Sequence, residues 1–201
     1  QSDYLEIYKK ALVTASFQLE KDDIVFAGEK AIAIAEGRAW HKKDIKVSFL
    51  ARFLSQFVTK SPYGIGIAIP ETFQLAVQEV GIPRIILAAL VGILGKLIGI
   101  KGLFYVVAGK QVAMIDGPVD YAIPPYNEYC SLGPRKPDVS AKKISKELKV
   151  KSVIVDANDL GVNVVGKSHQ EIDEKLVERI LEDNPLGQTN EQTPLGVIRL
   201  M

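Results

Sequence analysis

Two aspartates close apolar, strand-like runs in this chain of 201 residues. In residues 149–166, KVKSVIVDANDLGVNVVG, the run Val150, Val153, Ile154 and Val155 reads as a buried strand. It ends in Asp156-Ala157-Asn158-Asp159, and Gly161 then opens a second apolar run over 162–165. A carboxylate held at the mouth of a buried strand points one way, and Mg²⁺ and Mn²⁺ take such hard oxygen ligands. The same four residues also suit a plain tight turn, because Asp and Asn readily bond the backbone two residues on. Asp116, in Asp116-Gly117-Pro118, repeats the arrangement after the run 111–115. Two such aspartates can share a metal if their strands are neighbours.

Two further polar stretches have chemical potential. Gly28-Glu29-Lys30 interrupts an apolar run, and a loop there can meet a phosphate through Lys30 and the amides around Gly28. An ordinary turn between strand and helix has the same composition. Residues 186–193 carry Gln188, Asn190, Glu191, Gln192 and Thr193, side chains able to ligate a metal or bond a base or phosphate, or simply to be solvated. Tyr126, Tyr129 and Cys130 fit ordinary packing better than a ligand face.

The elements that must position these groups follow from periodicity. Helical spacing is present over 3–15, 45–57, 71–80, 140–148 and 172–181. A short strand is expected over 24–27 and a terminal one over 195–200. In YGIGIAIP, Gly64 and Gly66 alternate with isoleucines, which suggests a strand closely approached by another backbone, without the GxGxxG spacing of a dinucleotide site. Residues 103–108 and 111–115, around Gly109-Lys110, read as a β-hairpin with a II′ turn. The Pro-rich stretch 121–138 reads as a packed, extended connection.

Composition narrows the function classes. A formal net charge of +1 gives no support for nucleic-acid binding. One cysteine, Cys130, excludes an intrachain disulfide and fits a reducing cytoplasm, the expected location. Two histidines leave a structural zinc site almost without ligands. The first residues, QSDYLEIYKK, are polar and helical in pattern, with no sign of a signal peptide. IILAALVGILG is uncharged, but Arg84 and Lys96 bound it well short of the roughly 20 residues a membrane span takes. It reads as a helix buried in the fold or against a second subunit, with Gly92, Gly95 and Gly99 admitting a close neighbour. No membrane partner is expected.

The motifs IAEGR, SPYGIGI, LAALVGILGKL, IDGP, IPPYN, VDANDLGV and DNPLGQTNEQTPLGVIR, in this order, resemble the coenzyme F-420-0:L-glutamate ligase (F-420 γ-glutamyl ligase) family, most closely its shorter ligase-like homologues. The resemblance covers nearly the whole chain. It implies an α+β fold of mixed and antiparallel sheets with packed helices, one two-lobed domain over 1–201, and an intertwined homodimer. The family's N-terminal strand has no counterpart ahead of the first helix, so upstream sequence is expected to be missing.

The activity so implied uses GTP as co-substrate with a divalent metal, Mg²⁺ or Mn²⁺, and a monovalent cation. L-glutamate is joined through an acyl phosphate to a phosphorylated deazaflavin-type substrate. By resemblance, Asp116 and Asp156 match metal-binding aspartates. Gln188 falls near a position contacting metal and nucleotide, and Asp159 completes or orients the metal shell. Gly28, Glu29 and Lys30 lie where nucleotide phosphate is contacted, with Arg38, Glu191 and Gln192 assigned to the same nucleotide site. The chain departs from the family pattern in several places: Ala157 stands for a threonine, Leu160 for an arginine and Ile34 for a basic residue, and Asp116 is followed by Gly117-Pro118-Val119 without the family's asparagine. Removing cations from a phosphoryl-transfer site weakens its charge compensation. The alternative to a ligase is therefore a non-catalytic dimer that binds a nucleotide, a deazaflavin or another phosphorylated ligand.

Overall fold

The computed structural model describes residues 4–58, 65–120, 122, 124–158, 161–185, 187 and 194–199. Along the chain run α1 (Tyr4–Thr14), β1 (Ile24–Gly28), α2 (Glu29–Ala35), β2 (Ala39–His41), α3 (Phe49–Ser55), α4 (Pro70–Val80), α5 (Ile82–Leu97), α6 (Leu103–Ala108) and α7 (Lys110–Ala113). There follow β3 (Tyr129–Ser131), α8 (Pro137–Leu148), β4 (Lys151–Asn158), β5 (Gly161–Lys167), α9 (Glu174–Ile180) and β6 (Leu195–Ile198). The fold is α+β. Two compact units divide it: a sheet unit, residues 1–37 and 134–201, and a helical unit, residues 38–133, inserted between α2 and α8.

The sheet unit is built on a mixed sheet in the order β5-β4-β1-β6. Its central strands, β1 and β4, are parallel, and β5 and β6 flank them antiparallel. Alternation along the strands supplies two cores. Val25, Ala27 and Ile154 pack with Tyr8, Ile32, Ala141 and Ile144 from α1, α2 and α8. Phe26, Val153 and Val155 pack on the other face with Val177 of α9 and its neighbours Ile172 and Leu181. Sheet faces buried on both sides explain why Val153, Ile154 and Val155 of β4 are apolar in succession.

Two devices lock this unit. The Tyr8 hydroxyl lies 2.6 Å from the Phe26 carbonyl and 2.8 Å from that of Gly196, joining α1 to β1 and β6; burial pushes its pKa up. Asp23, buried at the entry to β1, accepts bonds from Arg199 Nε at 2.9 Å and Nη2 at 2.7 Å. The Arg199 guanidinium, helped by the Glu20 amide, holds the Asp23 carboxyl below its ordinary pKa.

The helical unit closes around Phe73, Leu75, Ile85, Ala88, Val112 and Cys130. Its ends meet: β2 pairs antiparallel with β3, and Arg38 Nε donates to the Gly133 carbonyl at 2.7 Å. The predicted hairpin is absent here. Residues 103–108 and 110–113 are the helices α6 and α7, separated by Gly109 at φ 96°. Short β-branched runs fit either state, and packing decides. A Cβ on Gly92 would lie 3.1 Å from Phe104, and one on Gly95 2.8 Å from Leu103, so these glycines admit α6 of the same chain.

Other expectations also shift. Of the predicted glycine-rich strand, residues 65–68 form a bend with Gly66 at φ 49°, and Gly64 lies outside the described residues. The helix expected over 45–57 shortens to α3, because the Ser48 hydroxyl accepts from the Ala51 amide and caps it. The Pro-rich connection contains β3, whose partner β2 is too short to give a periodic signal. No single helix among the described residues is long and apolar enough to cross a membrane.

Candidate nucleotide and metal site

The carboxyl ends of β1 and β4 lie side by side, with Gly28 paired to Val155. One residue further, β1 has turned into α2, so Glu29 and Lys30 form the first helical turn and are not a loop. One residue further on β4 comes Asp156. The predicted polar turn is therefore displaced: Asp156, Ala157 and Asn158 are strand residues, paired with Asn163, Val162 and Gly161. Alternation settles which way Asp156 faces. Val153 and Val155 belong to the α9 core and Ala157 packs against it, whereas Ile154 belongs to the core of α1, α2 and α8. Asp156 thus stands, half-buried, on the α2 side of the sheet. Within one unit, Gly28, Glu29, Lys30 and Asp156 share one end of a parallel strand pair, where ligands of open α/β sheets characteristically bind.

One expected contact is already in use. The Gly28 amide donates to the Pro194 carbonyl at 2.8 Å and is not available to a phosphate. That bond fixes the start of β6 at the same end of the sheet. Residue 194 follows directly on the polar stretch carrying Gln188, Glu191 and Gln192, which, like Asp159 and Leu160, lie outside the described residues. The departure at Ala157 faces the α9 core, away from the face that carries Asp156. Ile34 is half-buried on α2.

Asp116 and Arg38 belong to the helical unit. Asp116 does not end a hairpin strand. It bridges Ser131 of β3 through paired backbone bonds of 3.0 and 2.9 Å, and its Oδ1 accepts from the Gly117 amide at 2.8 Å. Arg38 is buried, with Nη2 2.9 Å from Glu79 Oε1. Its guanidinium closes the unit on itself.

Among the described residues, no group of three His, Cys, Asp or Glu side chains is placed to hold a metal. The donors at the sheet end are carboxylate oxygens, and Mg²⁺ commonly takes only one or two protein carboxylates beside water and phosphate oxygens. Asp156 fits that pattern in kind. Sequence reasoning gave Glu36 no role. Its carboxylate accepts from Ser140 Oγ at 2.8 Å and from the Arg135 amide at 2.9 Å, and the only signal for it was its place in IAEGR.

The family model described as F420-0:Gamma-glutamyl ligase matches residues 1–165, from α1 through most of β5. The C-terminal stretch with DNPLGQTNEQTPLGVIR lies beyond the matched residues. None of the curated proteins matches the chain.

Proposed function

The chain belongs to the F420-0:gamma-glutamyl ligase family, and on that premise we propose that it is a ligase of F-420 biosynthesis that joins L-glutamate to a phosphorylated deazaflavin-type acceptor with consumption of GTP. The observation that supports this reading is the meeting of Gly28, Glu29, Lys30 and Asp156 at the carboxyl end of β1 and β4. In the proposed reaction an acceptor carboxylate attacks the γ-phosphorus of GTP and releases GDP. The glutamate amine then attacks the acyl carbon, the C–N bond forms, and inorganic phosphate leaves.

Asp156 would hold a Mg²⁺ or Mn²⁺, which supplies charge neutralisation at the phosphates. Lys30 would meet a phosphate from the first turn of α2. Asp116 in the helical unit, and Asp159, Gln188, Glu191 and Gln192 outside the described residues, keep the roles that the resemblance implies. Arg38 would reach a phosphate only by giving up its bonds to Glu79 and the Gly133 carbonyl.

The assembly we propose is a homodimer. Leu87, Leu90, Leu94 and Leu97 of α5 are each more than half exposed, an apolar stripe left uncovered among the described residues. A second reading, a binding protein without turnover, draws on Ile34 and Leu160 standing where the family has cations.

Thermal unfolding with Mn²⁺ and GTP tests the site. Ligand at 100 times its dissociation constant stabilises a fold by about 2.7 kcal/mol. The expected result is a raised midpoint in wild type and none in Asp156→Asn. An equal rise in both would remove Asp156 from the site.

A further inference from the structure

The IAEGR motif contains a charged side chain, Glu36, with no part in the chemistry above. We infer that Glu36 is a positioning residue that holds α2, and with it Lys30, in place at the carboxyl end of β1; this rests on the ligase reading of that end.

A helix of seven residues has little stability of its own, since isolated helices below about 12 residues are marginal in water. Gly28 occupies the N-cap position of α2 and has no side chain with which to cap it. One buried face, Ile32 and Ala33, holds the helix on the sheet, and its far end is fastened as well. Glu36 is that fastening. Its amide closes the last turn on the Ile32 carbonyl at 2.9 Å. Its two carboxylate oxygens take separate donors, Arg135 N–H and Ser140 Oγ–H, at the head of α8. Ser140 is itself buried. α8 is fixed in turn: Gly166 of β5 is so close that a Cβ there would lie 2.5 Å from Pro137, and Asp138 Oδ1 accepts from the Lys167 amide at 2.9 Å. The end of α2 is therefore tied to the head of α8 by this carboxylate, beside the apolar packing of Ile32 on Ala141 and Ile144. Bonds to a charged acceptor are roughly twice as strong as neutral ones, so this contact is suited to fixing a short helix.

The test compares Glu36→Ala with Glu36→Gln in the full chain. A glutamine keeps an oxygen for Arg135 N–H and offers an amide to Ser140 Oγ, so it should behave as a conservative substitute. Two readouts are taken: amide hydrogen exchange in α2, and the Mn²⁺–GTP concentration that half-saturates the thermal shift. For Glu36→Ala we expect faster exchange across α2 and a half-saturation raised about tenfold, with both restored to near wild type in Glu36→Gln. Unchanged exchange in Glu36→Ala overturns the inference. So does faster exchange with unchanged half-saturation, which would make Glu36 a helix clip with no consequence for the nucleotide. If wild type itself shows no nucleotide shift, the ligase reading fails, and the positioning of Lys30 for nucleotide falls with it while the exchange result still reports the clip.

Discussion

The sheet unit and the helical unit differ in how much apolar surface they leave outside. In the sheet unit the difficult groups are polar and are resolved internally: Asp23 is buried but matched by Arg199, and the Tyr8 hydroxyl is buried but bonded. In the helical unit buried Arg38 is matched in the same way by Glu79, but most of the exposed large apolar side chains also lie here. Phe49 is 84% exposed, Leu97 78%, Val106 75% and Leu94 60%. The first unit is a sheet with helices packed on both faces and polar residues at the carboxyl end of β1 and β4. The second has a core of its own and a further apolar surface that nothing in the described chain covers. The self-association we propose therefore falls to the helical unit, and the phosphate chemistry we propose is anchored in the sheet unit.

The largest effect should come from the helical core. Phe73 is fully enclosed, and Phe73→Ala should cost about 3–5 kcal/mol. The chain's one tryptophan, Trp40, lies in this unit, so its fluorescence reports the loss as a lower urea midpoint. Hydrogen exchange in β1 and β4 should stay protected. Equal loss of protection there would break the distinction between the units.

Next comes the ion pair. Asp23→Asn should cost about 2–3 kcal/mol at pH 7, since it weakens a charge-assisted pair with one buried partner. Its sign with pH is fixed. A carboxyl with a lowered folded pKa contributes stability above its ordinary pKa of about 3.9, and that contribution is lost as pH falls through the folded value. Wild type should lose stability between pH 5 and pH 2, and Asp23→Asn should lose less over the same range. Identical pH profiles would remove the pair from the account.

The smallest change in stability should accompany the largest change in assembly. Leu90 is 56% exposed, so Leu90→Lys should alter protomer stability by no more than about 0.5 kcal/mol. It should nonetheless convert the proposed dimer to a monomer in light scattering. A variant that remains dimeric would move the interface elsewhere.

The sheet unit was the more legible of the two in the sequence. β1 and β4 announced themselves as apolar runs because central strands are buried on both faces, and the edge strands β5 and β6 showed as short apolar runs beside them. The placement of Asp156 did not. A turn and a strand end use the same residues, and only pairing with β5 showed that the ladder continues through Asn158. The helical unit misled more often. LFYVVA has strand propensity but lies on α5 as a helix, because Gly92 and Gly95 open a groove for it. Gly28 was read as a phosphate amide, and its bond to Pro194 could not be foreseen, since the two residues meet only when β6 docks on β1. Arg38 carries a charge that suits phosphate, yet burial beside Glu79 gives it a structural partner.

The central claim is turnover, and the most direct measurement is a ligation assay with mass detection. Purified protein, GTP, Mn²⁺ or Mg²⁺, L-glutamate and a phosphorylated deazaflavin acceptor would be incubated together. The account predicts a product heavier by one glutamyl residue and GDP release that requires both glutamate and acceptor, with both lost in Asp156→Asn. A nucleotide-dependent thermal shift without any glutamyl product would contradict it and leave a binding protein in the ligase fold.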